Sequence, residues 1–258
     1  IDKEETEMLI KAFCDQAGIG LAVYKTTPDL AADQRTIRSY VADRKPDAVV
    51  AVGGDGTVSL VANLLIGSPV PMGILPMGSG NGLSKDLGIP QGLEEALAVV
   101  AEFNVRNIDT LDVNGAPCVH IGDIGFNALI VDRFTHDEGR GITTYAWNTV
   151  KEYTDYQPKH YRELRVDIAA AVPGGVVDDG RFEVCIIRNF PKLEGVGILY
   201  RLLTGEIDQS MHYQIIQCTR AVIHNPDGEL MQIDGEPLPP TERVEINIRP
   251  GSLHVVVP

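Results

Sequence analysis

A chain of 258 residues that is 44% hydrophobic and 22% charged is too apolar for disorder and long enough for one large domain or two modest ones. Its net charge of −14 argues against nucleic acid, whose binding needs a basic footprint, and against simple electrostatic adhesion to anionic lipid.

The apolar residues Met8, Leu9, Ala12 and Phe13 share one helical face over residues 2–18, and residues 19–24 read as a strand. Residues 29–44 are again helical. Residues 48–52 form a continuous apolar run of the kind buried inside a parallel sheet, 57–66 return to helix, and 70–75 make the next strand. Helices follow over 80–87 and 93–103. Alternation of this kind predicts a doubly wound α/β domain over residues 1–107. Near Asn104 the texture changes. Residues 105–113 and 118–124 read as strands joined by Asn114-Gly115, a two-residue hairpin signal, and 182–187, 213–217, 244–248 and 253–257 are short and β-rich. Only 143–156 reads as a convincing helix there. The second domain, 108–258, is therefore expected to be a largely antiparallel sandwich or distorted barrel.

Cys14, Cys118, Cys185 and Cys218 form no CxxC pair, so neither a disulfide framework nor a zinc site is signalled. No apolar run approaches the roughly 18 residues of a membrane span, and no charged-then-apolar signal segment opens the chain. The expected compartment is the cytoplasm. The six histidines lack ligand spacing, and GxxxxGK[ST], G-x-S-x-G and H-E-x-x-H motifs are absent.

Two loops carry the chemistry. Gly53-Gly54-Asp55-Gly56 leaves an apolar strand and enters a helix at Thr57, at the carboxyl end of a strand, where open α/β sheets keep their ligands. Glycines let a ligand approach the backbone, and successive N–H groups with the positive helix end suit phosphate. Asp55 beside phosphate is repulsive unless a cation or proton donor intervenes, which points to Mg²⁺; the plain alternative is a helix-capping aspartate. The device recurs at residues 73–82, where a strand leaves through Gly78-Ser79-Gly80-Asn81-Gly82.

GGDGT followed by LPMGSGNGLSKDLGIP resembles the diacylglycerol kinase catalytic-domain family, which includes bacterial soluble lipid kinases and sphingosine kinases and is distantly related to NAD kinases and phosphofructokinases. The resemblance extends through Asn107-Ile108-Asp109, Ile124-Gly125-Phe126-Asn127-Ala128, the loop PGGVVDDGRF and Glu236 in MQIDGEPL. It implies an α/β nucleotide domain joined to a β-rich lipid-binding domain, with ATP and Mg²⁺ in the cleft and a lipid hydroxyl as phosphoryl acceptor. Carried over residue by residue, it assigns nucleotide binding to Gly53, Gly54, Asp55, Gly56, Thr57, Val58, Ser59, Gly78, Ser79 and Asn81. Asp55 and Asp109 would organise catalytic Mg²⁺, and Glu236 would accept the hydroxyl proton. A structural Mg²⁺ would be held by Asp179 with the carbonyls of Val176 and Arg181.

DGE occurs twice. Glu236 is preferred to Glu229 because a strand-like approach precedes it, as in the family. One departure stands out: the family commonly has an Asn/His-Glu pair after GGDGT, where this chain has Ser59-Leu60. An NAD kinase-like enzyme and a catalytically inactive lipid- or nucleotide-binding homologue are the rival readings. Transient membrane-surface contact is expected of a lipid kinase, and homodimerisation stays open. Tyr145, Trp147 and Tyr153 could line a lipid pocket, although core packing explains each as well.

Overall fold

The computed structural model describes residues 3–125, 128, 176–188 and 211–258, together with the backbone of 163–167. The chain divides into two units, Ile1–Asn107 with Ser252–Pro258, and Ile108–Gly251. The expected helix over 143–156, with Tyr145, Trp147 and Tyr153, lies outside the described residues.

The first unit runs α1 (Lys3–Ala17), α2 (Leu30–Arg44), β1 (Val49–Gly53), α3 (Asp55–Leu65), β2 (Met72–Pro76), α4 (Gly82–Asp86) and α5 (Leu93–Glu102). Strands β1 and β2 are parallel, with Val50 opposite Gly73 and Gly53 opposite Pro76, so both end at one edge and deliver their exit loops side by side. Every residue of β2 is buried, and α3 contributes Val58, Leu60, Val61, Ala62 and Leu65 to the same core. Each large apolar side chain buried in this way contributes about 1.5–3 kcal/mol. The C-terminal residues group with this unit because β12 (Arg243–Val256) ends with Val255 paired to Met72.

Local signals set the helix ends. Asp29 caps α2 by accepting from the Ala32 N–H at 2.9 Å, and Lys45 closes it in the left-handed region at φ 48°. Three features of this unit differ from expectation. Met8 and Leu9 of α1 are 64% and 49% exposed, while Thr6 and Cys14 are buried; the face turned inward is set by those residues and not by the most apolar stripe. Residues 19–24 form no strand. Ile19, Leu21, Val23 and Tyr24 are exposed, and the segment is tied through Asp33, which accepts from the Tyr24 hydroxyl (2.8 Å) and the Thr27 N–H (2.7 Å). Strand β1 is not buried on both faces either: only Ala51 is fully enclosed and Val52 is 41% exposed.

The second unit begins within β3 (Val105–Val113), which turns into β4 (Ala116–Cys118) through Asn114 and Gly115. Both turn residues have positive φ, 51° and 88°, the type I′ geometry that Asn-Gly favours. Then follow β5 (Ile121–Gly125), β6 (Glu163–Asp167), β7 (Phe182–Ile187), β8 (Tyr213–Cys218), β9 (Arg220–His224), β10 (Met231–Ile233) and β11 (Glu236–Leu238). One antiparallel sheet has the order β11-β10-β5-β6-β7-β8. Across from it, Leu111, Val113, Cys118, Val244 and Ile246 meet Ile124, Phe182, Val184, Met231 and Ile233 in one core. Two layers sharing a core make a sandwich. The two C-terminal strands expected from sequence are one strand, β12. Pro250-Gly251 reads as a turn, but Gly251 sits at φ 56° and its N–H is taken by Asp109, so the strand bends and continues.

Candidate active site

Helix α3 starts at Asp55, two residues before the sequence suggests, which places Asp55 and Gly56 in its first turn. Gly54 is the N-cap and has no side chain to supply; its carbonyl accepts from the N–H groups of Thr57 (3.0 Å) and Val58 (3.1 Å). The N–H groups of Asp55 and Gly56 have no intrahelical acceptor by helix geometry, and the helix dipole adds partial positive charge at the same point.

The two glycine loops interlock. Asp55 accepts from the N–H of Asn81 through one oxygen (2.9 Å) and from the N–H of Gly82 through the other (2.7 Å). Met77 donates its N–H to the Gly53 carbonyl at 2.8 Å. A Cβ on Gly78 would lie 2.5 Å from the Gly54 Cα, and one on Gly80 would lie 2.5 Å from the Asp55 carboxylate. Glycine at 78 and 80 is therefore required for the approach of one loop to the other.

Asn81 is the hub of the second loop. It adopts the left-handed conformation at φ 55° and is nearly buried. Its side-chain oxygen accepts from the Gly78 N–H (2.9 Å), while its amide nitrogen donates to the Gly78 carbonyl (2.9 Å) and to Gln91 (3.1 Å). The same side chain thus closes both polar groups of Gly78.

Gly56 is different. A Cβ there would meet nothing within 4 Å, and its φ is not in the region that favours glycine. Glycine inside a helix costs about 0.5–1 kcal/mol relative to alanine, so neither packing nor backbone geometry accounts for it. Of the other residues proposed for this site, Ser79 is exposed, whereas the side chains of Val58 and Ser59 are buried at 5% and 7% exposure. Leu60, the departure from the family pattern, is also buried.

In the second unit Asp109 is buried and clamps the backbone: it accepts from the N–H of Gly180 and of Gly251, both at 2.7 Å, and its own N–H donates to the Val177 carbonyl. The 176–181 loop is thereby fixed beside β3. Val176 and Asp179 are exposed, and Asp179 accepts from the Arg181 N–H at 2.9 Å. Glu236 opens β11, exposed, after the Asp234-Gly235 turn, whose φ values of 50° and 87° again give type I′ geometry. The turn is anchored by Asp234, which accepts from the N–H groups of Val119 (2.9 Å), His120 (3.0 Å) and Ile121 (3.0 Å). Burial pushes its carboxyl up, against the pull of those three donors. Gln232 accepts from the Gly235 N–H and donates to buried Asp123. The other DGE lies in a loop closed on Asn225, whose amide both donates to the Glu229 carbonyl and accepts from the Glu229 N–H.

Sequence reasoning missed Gln91, Gln232 and the anchoring role of Asp234. Only the last had a signal, as the first residue of an Asp-Gly turn.

Of the two carboxylates expected to organise Mg²⁺, Asp55 fits that role in a limited way, whereas Asp109 is buried with both oxygens on backbone N–H groups. Each Asp55 oxygen gives one lone pair to an N–H and keeps another, and Asp55 is exposed. Mg²⁺ is commonly held by one or two carboxylates completed by phosphates and waters, which suits such a residue. Among the described residues, no three His, Cys, Asp or Glu side chains gather into a ready-made metal cage.

Comparison with known proteins agrees with the two loops. Residues 2–113 match the family model described as the diacylglycerol kinase catalytic domain. The Synechocystis protein sll0036 is 25% identical over 81% of this chain and 54% of its own length, so the chain spans about half of that relative. "Probable lipid kinase YegS" of Salmonella paratyphi A is 27% identical over 82% of this chain and 78% of its length, and "Probable lipid kinase YegS-like" of Chromohalobacter salexigens is 26% identical over 81% and 76%. A crystal structure of a diacylglycerol kinase from Bacillus anthracis str. Sterne superposes with a TM-score of 0.75 at 16% identity, covering 100% of this chain and 92% of that one. The last likeness concerns the fold, and it agrees with the α/β unit and β-rich unit found here.

Proposed function

We propose that this chain, which carries the diacylglycerol kinase catalytic domain in residues 2–113 and is a relative of YegS-type lipid kinases, transfers the γ-phosphoryl group of ATP to a lipid hydroxyl. Diacylglycerol or a long-chain base is the acceptor class. The observation that carries the reading is Gly56: a helix-start glycine, exposed beside two interlocked glycine loops, whose absent side chain serves no packing or backbone need.

In this reading the N–H groups at the start of α3 and those of Ser79 and Gly80 bind phosphate oxygens, with Thr57 and Ser79 offering hydroxyls. Asn81 keeps the second loop in shape. Bound Mg²⁺ would supply charge neutralisation on the phosphates, with Asp55 holding it; Asp109, buried with an N–H on each oxygen, would act only through the backbone it fixes. Glu236 takes the proton from the acceptor hydroxyl as that oxygen bonds to the γ-phosphorus, and the bond from phosphorus to the bridging oxygen of ADP breaks. Catalysis is chiefly positioning and electrostatics. No helix among the described residues is long and apolar enough to cross a membrane; in this reading the enzyme meets its lipid by transient contact with a membrane surface from the cytoplasm.

γ-Labelled ATP supplied with Mg²⁺, detergent-dispersed lipid extract and NAD tests the proposal. Label in a lipid-soluble product supports it. Label in NADP alone, or nucleotide binding with no transfer, overturns it in favour of an NAD kinase-like enzyme or an inactive binder.

A further inference from the structure

Gln91 lies just beyond the glycine-loop motif, on the surface between α4 and α5. An exposed glutamine ordinarily leaves its amide to water. Here both ends are engaged. Its oxygen accepts from the Asn81 amide at 3.1 Å, and its nitrogen donates to the Ile89 carbonyl at 2.9 Å and the Ser84 hydroxyl at 3.1 Å. Ser84 in turn donates to the Asn81 carbonyl at 3.0 Å.

The orientation of these amides follows from their partners. Gly78 presents an N–H to one end of the Asn81 amide and a carbonyl to the other, which fixes the Asn81 nitrogen toward Gln91. The facing atom of Gln91 must then be its oxygen. Its other end meets a backbone carbonyl, which only accepts, so that end must be the nitrogen. Neither amide can rotate by half a turn without losing hydrogen bonds on both sides.

Asn81 holds a left-handed backbone conformation that a non-glycine residue adopts at a cost. It also donates its N–H to Asp55 of the first loop. Whatever holds the Asn81 side chain therefore holds the shape of the second loop and its registration on the first. We infer that Gln91 is a positioning residue for nucleotide binding: it locks the Asn81 amide from outside the loop, so that the Gly78-Ser79-Gly80 backbone is already in its phosphate-receiving shape before ATP arrives. The benefit is preorganisation, a smaller ordering cost on binding. This inference rests on the nucleotide-binding reading above.

Gln91→Met keeps length and removes all three hydrogen bonds. Gln91→Glu keeps the acceptor toward Asn81 but faces the Ile89 carbonyl with a second acceptor. The test titrates a fluorescent ATP analogue with Mg²⁺ into the full chain and both variants, and records each Tm. The expected result is nucleotide affinity about tenfold weaker in Gln91→Met, the equivalent of one or two hydrogen bonds of net worth, with a Tm near that of the parent. In turnover the loss should fall on KM for ATP and leave kcat little changed. Gln91→Glu should fall between parent and Gln91→Met, and it serves as the measurement if Gln91→Met does not fold. Unchanged affinity in a folded variant overturns the inference, as does a loss of affinity that only tracks a fall in Tm. Failure of the parent itself to bind the analogue overturns the underlying nucleotide-binding reading, and with it the inference.

Discussion

The Asp55 carboxylate and the Asn81 N–H, 2.9 Å apart, join the first glycine loop to the second, and the Gly82 N–H completes the clamp at 2.7 Å. The aspartate that looks like a lone negative charge among glycines is thus already hydrogen-bonded, with lone pairs to spare for a cation. Its two roles separate by substitution. Asp55→Ala leaves two N–H groups at the start of α4 without this acceptor and should destabilise the first unit by about 1–3 kcal/mol, read by urea unfolding. Asp55→Asn keeps one oxygen and the side-chain shape while removing charge. Turnover should fall by the equivalent of about 2–4 kcal/mol, as when one preorganised electrostatic group is lost, beyond any loss of stability. Parent-like turnover in Asp55→Asn at saturating ATP and Mg²⁺ would leave Asp55 as a clamp alone.

Gly78→Ala tests the interlock from the other side. Its Cβ would lie 2.5 Å from the Gly54 Cα and 2.8 Å from the Asn81 side-chain oxygen, contacts that only backbone movement can relieve. A cost of about 1–3 kcal/mol is expected from such overpacking, with nucleotide binding lost as the loops separate. Gly56→Ala meets no atom within 4 Å. It should keep or raise Tm through better helix propensity yet weaken ATP binding. That divergence, stability up and affinity down, is what a ligand-facing glycine predicts; parallel changes in both would contradict it.

Glu183 supplies a pH test. It is 2% exposed on β7, accepts from Gln217 through one oxygen at 2.8 Å, and has no hydrogen-bond partner for the other among the described residues. Burial pushes its carboxyl up, and the charge of Asp179 adds to the rise despite the opposing Gln217 bond. A folded pKa above the unfolded value of about 4.3 means that the protonated form is favoured in the native state. The corresponding stability is complete below the unfolded pKa and is lost as pH rises through the folded one. Glu183→Gln imitates the protonated form. Its Tm should exceed that of the parent at pH 7–8, and the gap should close toward about pH 4. A gap independent of pH would show that ionisation of Glu183 is not its source.

The 176–181 loop yields a metal prediction. Asp109 and the Val177 carbonyl fix its backbone, and Asp179 is exposed beside the Arg181 N–H. If the Asp179 carboxylate with the Val176 and Arg181 carbonyls holds a structural Mg²⁺, with waters completing about six ligands, added Mg²⁺ should raise Tm in the parent and not in Asp179→Ala. An equal Mg²⁺ response in both would remove the proposed ion from this loop.

What the sequence made legible were features set by local chemistry. The helix beginning near Asp29 forms, Asn114-Gly115 turns a hairpin and the glycine loops leave strands, each because a few adjacent residues suffice. The misreadings share a different cause. The face of α1 and the fate of residues 19–24 depend on which partners are present, and β12 continues through Pro250-Gly251 because Asp109, far away in sequence, takes the Gly251 N–H. The same holds at the site. Asp55 was visible as an oddity, but its bonds to Asn81 and Gly82 cross 26 and 27 residues, and no spacing rule connects Gln91 to Asn81.

Glu236 is the proposed general base, and its substitution tests that role. It stands exposed at the start of β11, opposite Ile233 across a two-residue turn, and Asp234 and Gln232 hold that turn rather than Glu236 itself. Replacing the carboxylate by an amide should therefore leave the hairpin and the fold intact. Loss of a general base typically costs about 10²–10⁴ in rate. In Glu236→Gln, transfer to a lipid acceptor should fall into that range, while Tm and the affinity for the ATP analogue stay at parental values, because the nucleotide contacts proposed here lie on the glycine loops. Glu229→Gln is the control: its backbone is bound by Asn225, and its side chain has no proposed role, so turnover should be unaffected. Should Glu229→Gln abolish transfer and Glu236→Gln spare it, the base would belong to the first Asp-Gly-Glu and not the second.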